Sequence, residues 1–379
     1  MIEQAADWAL EARRIHADLP VVDGHNDLPW AIHLHAAGDL EAADPGNPLP
    51  QFHTDIERMR RGGVGVQFWS VYVPSSSPAP LRQTIEQIDL TLRMIDRNPA
   101  HLALARTTKE MVAVRSSGRI ACLLGAEGGH SIEGSLGALR MLHSLGVRYM
   151  TLTHADNTTW ADSATDETLH GGLTDFGAEV VREMNRIGML VDISHVSVDT
   201  MRDALEVSDK PLIASHSSAA ALTDHPRNIP DDVLRNVGAN GGVVMVNFFP
   251  GFIVEAAAAM TSEMFAVQRA LQAELADDRA VDARIQELQK ADPIPRGTVD
   301  DVVDHIEHIA DVAGIDHVGL GSDYDGVETT PVGLEDVSTY PAITERLLAR
   351  GWTEMDIRKV LGTNALRVLA AAEPPASAG

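Results

Sequence analysis

Eight short apolar runs, each turning polar near its end and separated by stretches of helical periodicity, constrain this 379-residue chain more than any other feature. They are VVDGHNDL from Val21, VGVQFWSVYV from Val64, IACLLGAEGG from Ile120, YMTLTH from Tyr149, MLVDISH from Met189, PLIASHS from Pro211, GGVVMVNFF from Gly241 and HVGLGSDYDG from His317. Such runs read as strands, and their alternation with helices makes a parallel sheet. Helical patterns fill the intervals: LRQTIEQIDLTLRMI after the second run, DFGAEVVREMNRIG before the fifth and TVDDVVDHIEHIADVAG before the eighth. The last two stop at a glycine, the residue that best accepts the backbone turn at a helix end. Eight units of this kind predict a closed (β/α)8 barrel, and barrels of this length form one domain, here residues 1–379.

Two stretches depart from the repeating unit. Residues 252–296, rich in Ala, Glu and Gln, predict a helical excursion before the eighth strand, and the tail from about 372 to 379 has too little apolar content to pack and is expected to be mobile. A formal net charge of −25 repels a phosphate backbone and an anionic membrane surface, so nucleic acid is excluded as a partner. The lone cysteine, Cys122, lies in an apolar run, which rules out an internal disulfide and reads as a small core residue. The first residues mix charges with apolar positions unlike a signal peptide, and no apolar stretch reaches 18 residues, so the expectation is a cytoplasmic protein with no membrane span.

In a barrel the C-terminal ends of the strands form the active face. His25 and Asp27 are two residues apart at the end of the first run, which a strand's period of two would place on one interior face. Glu127 ends the third run, His154 the fourth, His195 the fifth, His216 the sixth, and Asp323 the eighth. Alone, each histidine has an ordinary explanation in the core or at the surface. Together they converge on one rim, and imidazole with carboxylate suits zinc. His25, Asp27, Glu127, His195 and His216 are too many ligands for one tetrahedral ion and fit two zinc ions sharing Glu127. Such ions acidify a bridging water and polarise a carbonyl, the two-metal route to hydrolysis by a bridging hydroxide. The chain has no G-x-S-x-G elbow, P-loop, dinucleotide-binding glycine motif or H-E-x-x-H, and its DYDG lacks the remaining ligands of a calcium loop.

With these residues in view, the sequence resembles the membrane dipeptidase (renal dipeptidase) family of zinc peptidases. The resemblance covers nearly the whole chain, through DGHNDLPW, GAEGGHSI, YMTLTHADNTTWAD, DISHVS, SHSSA, PRNIPDDVLRNV, GSDYDGV and GTNALRV in order. It implies a TIM barrel of the metal-dependent hydrolase (amidohydrolase-like) type and hydrolysis of dipeptides, including those with a D-residue at the C-terminal position. It implies that His25 and Asp27 bind one zinc, His195 and His216 the other, and that Glu127 bridges them. It further implies that His154 steadies the oxyanion, Arg227 holds the substrate's terminal carboxylate, Asp323 handles the proton for the leaving amine, and the protein is a homodimer. The chain departs from the mammalian pattern in its longer excursion and in lacking disulfide cysteines, which leaves substrate preference open.

Alternatives are another barrel amidohydrolase, a lactonase or cyclic amidase, or a non-catalytic zinc-binding protein. Many of the former bridge their metals with a carboxylated lysine, whereas the fourth run here ends in His154. Five ligands over two ions leave positions open for water, unlike a structural site. Asp23 shares the His25 face by parity and reads as a structural partner deeper in the barrel. His130 and Asn157 read as neighbours of the site, Asp192 and Ser194 as flanking residues of no clear role, and His33, His35, His53, His143, His170, His305 and His308 as solvated.

Overall fold

The structure, a computed structural model, describes residues 2–275 and 277–374. All eight apolar runs become parallel strands: β1 Val21–Asn26, β2 Val64–Tyr72, β4 Ile120–Glu127, β5 Val147–Thr151, β6 Leu190–Asp192, β7 Ile213–Ala214, β8 Val243–Val246 and β9 Val318–Leu320. Neighbours run β2-β1-β9-β8-β7-β6-β5-β4, and β2 pairs with β4 to close the ring, giving a (β/α)8 TIM barrel. A ninth strand, β3 (Leu102–Leu104), was not foreseen; three residues are too few to show a period. It pairs with Ile120–Cys122 of β4, below the stretch Leu124–Ala126 where β5 takes over that edge.

Helices form where the periodicity placed them, over Pro80–Arg97, Asp175–Ile187 and Val299–Ala313, with Gly188 and Gly314 at positive φ just past the last two. The excursion is helical over Pro250–Ile253, Glu255–Glu274 and Asp278–Ala291, and its residues line the cavity at the barrel mouth. The first residues of the stretch expected to be mobile are packed. Ala372 is buried at the end of the helix Asn364–Ala372, and the Glu373 carboxylate accepts hydrogen bonds from Thr108 N and Oγ1; residues 375–379 lie outside the described residues. Cys122 is fully buried, and burial pushes its thiol up to about 12, so it is an inert core group. Among the described residues no helix is long and apolar enough to cross a membrane.

Two expectations from strand parity and polarity fail. On β1, Asp23 lies opposite Gln67 but Asn26 lies opposite Trp69, so three steps on one strand match two on the other. This bulge breaks the alternation between Asp23 and His25. Asp23 instead accepts from Gln67 Nε2 at 2.9 Å, Ser322 N at 2.8 Å and Ser322 Oγ at 2.8 Å, tying β1 to its neighbours and leaving His25 free to turn inward. His305, expected to be solvated, is buried: its Nδ1 accepts from Ala219 N at 3.0 Å, fastening the helix Val299–Ala313 to the loop after β7.

Burial pulls His305 down to about 4, and does the same to His16, whose ring joins Gly62 O and Thr344 Oγ1. The unfolded imidazoles titrate near 6.5 and so bind more protons than the folded ones between these values. Stability present above pH ~6.5 is therefore lost as pH falls toward about 4, by about 3 kcal/mol per histidine at most. Urea unfolding of His305→Gln should show lower stability at pH 7.5 but a flatter decline toward pH 5 than the parent, at equal metal content. An unchanged slope would remove His305 from the account.

Candidate metal centre

The predicted residues gather at the C-terminal mouth of the barrel. His25 lies in β1, Asp27 just beyond it as N-cap of the helix Leu28–Ala36, and Glu127 is the last residue of β4. His154, His195, His216 and Asp323 each stand two or three residues past the ends of β5, β6, β7 and β9. His195 and Asp323 adopt left-handed backbone, with φ of 71° and 66°, a conformation His and Asp tolerate better than most residues. Backbone of this kind re-aims a side chain at the strand end, and both are aimed into the mouth.

The two oxygens of Glu127 serve two different groups of imidazoles. Oε2 lies 3.4 Å from His25 Nε2, whereas Oε1 lies 3.0 Å from His195 Nε2 and 3.5 Å from His216 Nε2. His25 Nε2 is also 3.1 Å from Asp27 Oδ2, and His195 and His216 bring their Nε2 atoms within 2.8 Å of each other. Two ligands of one tetrahedral zinc at ~2.05 Å stand about 3.3 Å apart, so these separations suit ligands that share an ion. The fit extends behind the donors. His25 Nδ1 meets Tyr149 OH at 2.7 Å and His216 Nδ1 meets Ser215 Oγ at 2.8 Å, so each ring presents Nε2 to the cavity. His25 Nε2 is buried with no hydrogen-bond partner among the described residues. A divalent ion satisfies that arrangement, and the residues present fit one. The crowding is not fully partitioned: His216 also groups with His25 and Glu127, His154 with Glu127 and His195, and Asp323 with His25 and Asp27, at ligand spacing.

The electrostatics are those of an uncompensated cluster. Burial, with the neighbouring Glu127 charge, pushes the Asp27 carboxyl up, while burial pulls His195 and His216 well down. Glu127 is held well below its usual range because His25, His195 and His216 outweigh its burial. Burial, with the Asp27 and Glu127 charges, raises Asp323 to about 7. One Asp323 oxygen, Oδ2, accepts from Asn247 Nδ2 at 2.8 Å. The other lies beside Gly326, where any side chain would run into both Asp27 and Asp323. His154 is pulled down to about 4 by burial and is neutral at pH 7; its Nδ1 has no partner among the described residues.

Arg227 is not a surface residue. It is 2% exposed, its guanidinium reaches only His216 O at 3.3 Å and Ser217 Oγ at 3.5 Å, and among the described residues no carboxylate pairs with it. It lines the same cavity as Asp27, Glu127, His154, His195 and Asp323. A buried cation without a counter-charge invites an anion.

Several supporting groups escaped the sequence reading. Tyr149 holds His25, Ser70 Oγ donates to Glu127 Oε2 at 3.0 Å, and Asn247, just past β8, orients Asp323. Asn247 and Ser215 obey the rule that flagged the ligands, a polar side chain arriving after an apolar run. Asp192 and Ser194 also acquire a task. Asp192 Oδ1 accepts from Ser194 N and Ser215 N, and Ser194 Oγ accepts from His216 N, fixing the loop that carries His216. His130 binds Val73 O, and Asn157 accepts from Ser163 N within the loop after β5.

Comparison with known proteins places this geometry. The family profile described as membrane dipeptidase (peptidase family M19) matches residues 10–378. The chain belongs to that family. It is a metallopeptidase, a dipeptidase that hydrolyses peptide bonds. The dipeptidase verJ of Clonostachys rogersoniana is 40% identical over 376 residues, spanning 96% of this chain and 87% of that protein. A metallopeptidase from Rhodobacter sphaeroides, solved with a phosphinate mimic of the dipeptide L-Ala-D-Ala, superposes with a TM-score of 0.76 at 26% identity, covering 93% of this chain and 99% of the other. The probable dipeptidase PvdM from Pseudomonas aeruginosa shares the fold, with a TM-score of 0.82 at 22% identity over 97% of this chain and 99% of that one.

Proposed function

We propose that this dipeptidase, working as one barrel domain, holds two zinc ions and cleaves dipeptides whose C-terminal residue is of either hand, L-Xaa-D-Xaa included. The observation that carries the reading is Glu127, whose Oε2 faces His25 while its Oε1 faces His195 and His216. In this reading His25 and Asp27 hold one ion, His195 and His216 the other, and Glu127 spans the pair. Zinc ions so held supply an acidified water and a Lewis acid for the scissile carbonyl.

The protein's own groups do the rest. Arg227 draws the substrate carboxylate into its fork and so fixes which amide meets the cluster. Neutral His154 donates a ring N–H to the oxygen that gains negative charge. Asp323, anchored through Oδ2 by Asn247, uses Oδ1 to take a proton and return it to the departing nitrogen. A D-residue is accepted because the fork selects the carboxylate and not the side chain, and the dipeptide mimic bound by the Rhodobacter sphaeroides neighbour agrees with that. The reading extends to a homodimer acting in the cytoplasm.

The test is zinc-loaded protein assayed on L-Ala-L-Ala, L-Ala-D-Ala and their C-terminal amides, with metal analysis. Two ions per chain are expected, and amidation should lower kcat/KM by roughly 10- to 100-fold, as loss of a charge-assisted pair does. Arg227→Met should erase the difference between free and amidated substrates. Equal rates on both in the parent protein would sink the Arg227 assignment, and one ion per chain would sink the shared-carboxylate site.

A further inference from the structure

The carboxylate that Arg227 receives is bonded to the Cα of the dipeptide's C-terminal residue, so that residue's side chain must lie beside whatever flanks the guanidinium. The flank is aromatic. The Arg227 guanidinium stands 5.1 Å over the Phe252 ring. Phe249 meets Phe252 edge to face at 5.1 Å, and Phe265 lies 6.3 Å from Phe252 and 6.5 Å from Phe249, stacked on the latter. All three rings line the cavity that contains Arg227 and the metal-type donors. Two of them follow β8, whereas Phe265 comes from the excursion helix Glu255–Glu274.

Docking the excursion on the barrel accounts for burying Phe249 and Phe252, which are 6% and 3% exposed. It does not account for Phe265, which keeps part of its surface open while turned to the same cavity. Besides Arg227, the excursion helix brings Arg269, one turn past Phe265, to the same cavity, where its guanidinium donates to Thr165 O. His225, whose ring packs 4.8 Å from Phe252 and whose Nδ1 accepts from Arg227 N, is held neutral by burial. A carboxylate or ammonium placed against the rings themselves loses water that they cannot replace, whereas an apolar ring gains contact with three others.

We propose that Phe249, Phe252 and Phe265 form the seat for the side chain of the C-terminal residue, and that the enzyme selects a large apolar, above all aromatic, residue there. The inference rests on the Arg227 reading given above. Phe265 is then a specificity-determining residue contributed by the excursion, and changes there retune substrate choice without touching the metal ligands.

The experiment measures kcat/KM on Ala-Gly, Ala-Asp and both hands of Ala-Phe, in the parent, Phe265→Ala and Phe265→Leu, with melting temperatures alongside. The parent should favour one hand of Ala-Phe over Ala-Gly by about 10-fold or more and disfavour Ala-Asp. Phe265→Ala should cut the Phe-to-Gly ratio by roughly 3- to 10-fold, chiefly through KM, and Phe265→Leu should restore part of it. Competitive inhibition by phosphinate dipeptide mimics ending in Phe or Ala should show the same change of ratio. A Phe-to-Gly ratio that stays constant in Phe265→Ala while the melting temperature falls would make the rings packing only, and overturn the proposal. If Ala-Gly is cleaved and its amide is not, the Arg227 reading stands whichever way the ratio goes. If no dipeptide is cleaved, that reading and this one fall together.

Discussion

Glu127→Gln should leave the barrel folded but lower dipeptide hydrolysis by about 10³-fold or more and, on the two-ion reading proposed above, take metal content from two ions per chain toward one. The amide copies the shape of the carboxylate, and the position is only 4% exposed, so packing is preserved. The charge is not. One end of the amide becomes an N–H donor facing an imidazole nitrogen that needs to offer its lone pair elsewhere, either on the His25 side or on the His195 and His216 side. On that reading one set of ligands is left to hold its ion with two histidines, or with His25 and Asp27 beside Asp323. Circular dichroism, metal analysis and kcat taken together are the measurement; full metal and full rate would remove Glu127 from the centre of the account.

Asp323→Asn should lower kcat by roughly 10²- to 10⁴-fold, the usual worth of a positioned proton carrier, with metal content and KM little changed. Asparagine can still accept from Asn247 Nδ2 through its own carbonyl, so the position keeps its anchor. On the role proposed above, what it loses is the oxygen that takes and gives a proton. The pH profile separates this from a structural effect. Burial, with the neighbouring Asp27 and Glu127 charges, raises the Asp323 carboxyl to about 7 in the absence of cations. Bound cations favour its ionised form, so in the loaded enzyme the carboxylate titrates below that value. The ionised form is the one that accepts a proton, and activity should rise with pH through that limb. The limb should vanish from the residual activity of Asp323→Asn, and its persistence would assign the ionisation to another group.

The barrel was legible because its strands are buried on both faces and so read as unbroken apolar runs, with polar residues only where the active face begins. The same rule brought His25, Glu127, His154, His195, His216 and Asp323 forward from six separate runs. It failed where local geometry overrides parity. The bulge in β1 turns Asp23 away from His25, and no composition or period announces one extra residue in a strand. β3 is three residues long and borrows its place from the free lower edge of β4. His305 looked like one more histidine on a polar helix face; what buries it is a contact with the loop after β7, nearly ninety positions away in sequence. Arg227 lies in a loop with no periodic signal at all, and its burial at the cavity without a carboxylate partner among the described residues marks it in the structure.

Barrel closure has a consequence for when this protein can begin to work. The first strand, with His25 and Asp27, finds one of its neighbours in β2 and the other in β9, and Asp23 is clasped by Ser322 across that last seam. Until the ribosome has delivered β8 and β9, the earlier strands can form at most an open, curling sheet whose first and latest members are far apart. His25 then has no closed rim to hold it beside His216. A chain that stops short of β9 therefore lacks the seam that closes the ring, and with it the rim on which His25 and His216 meet.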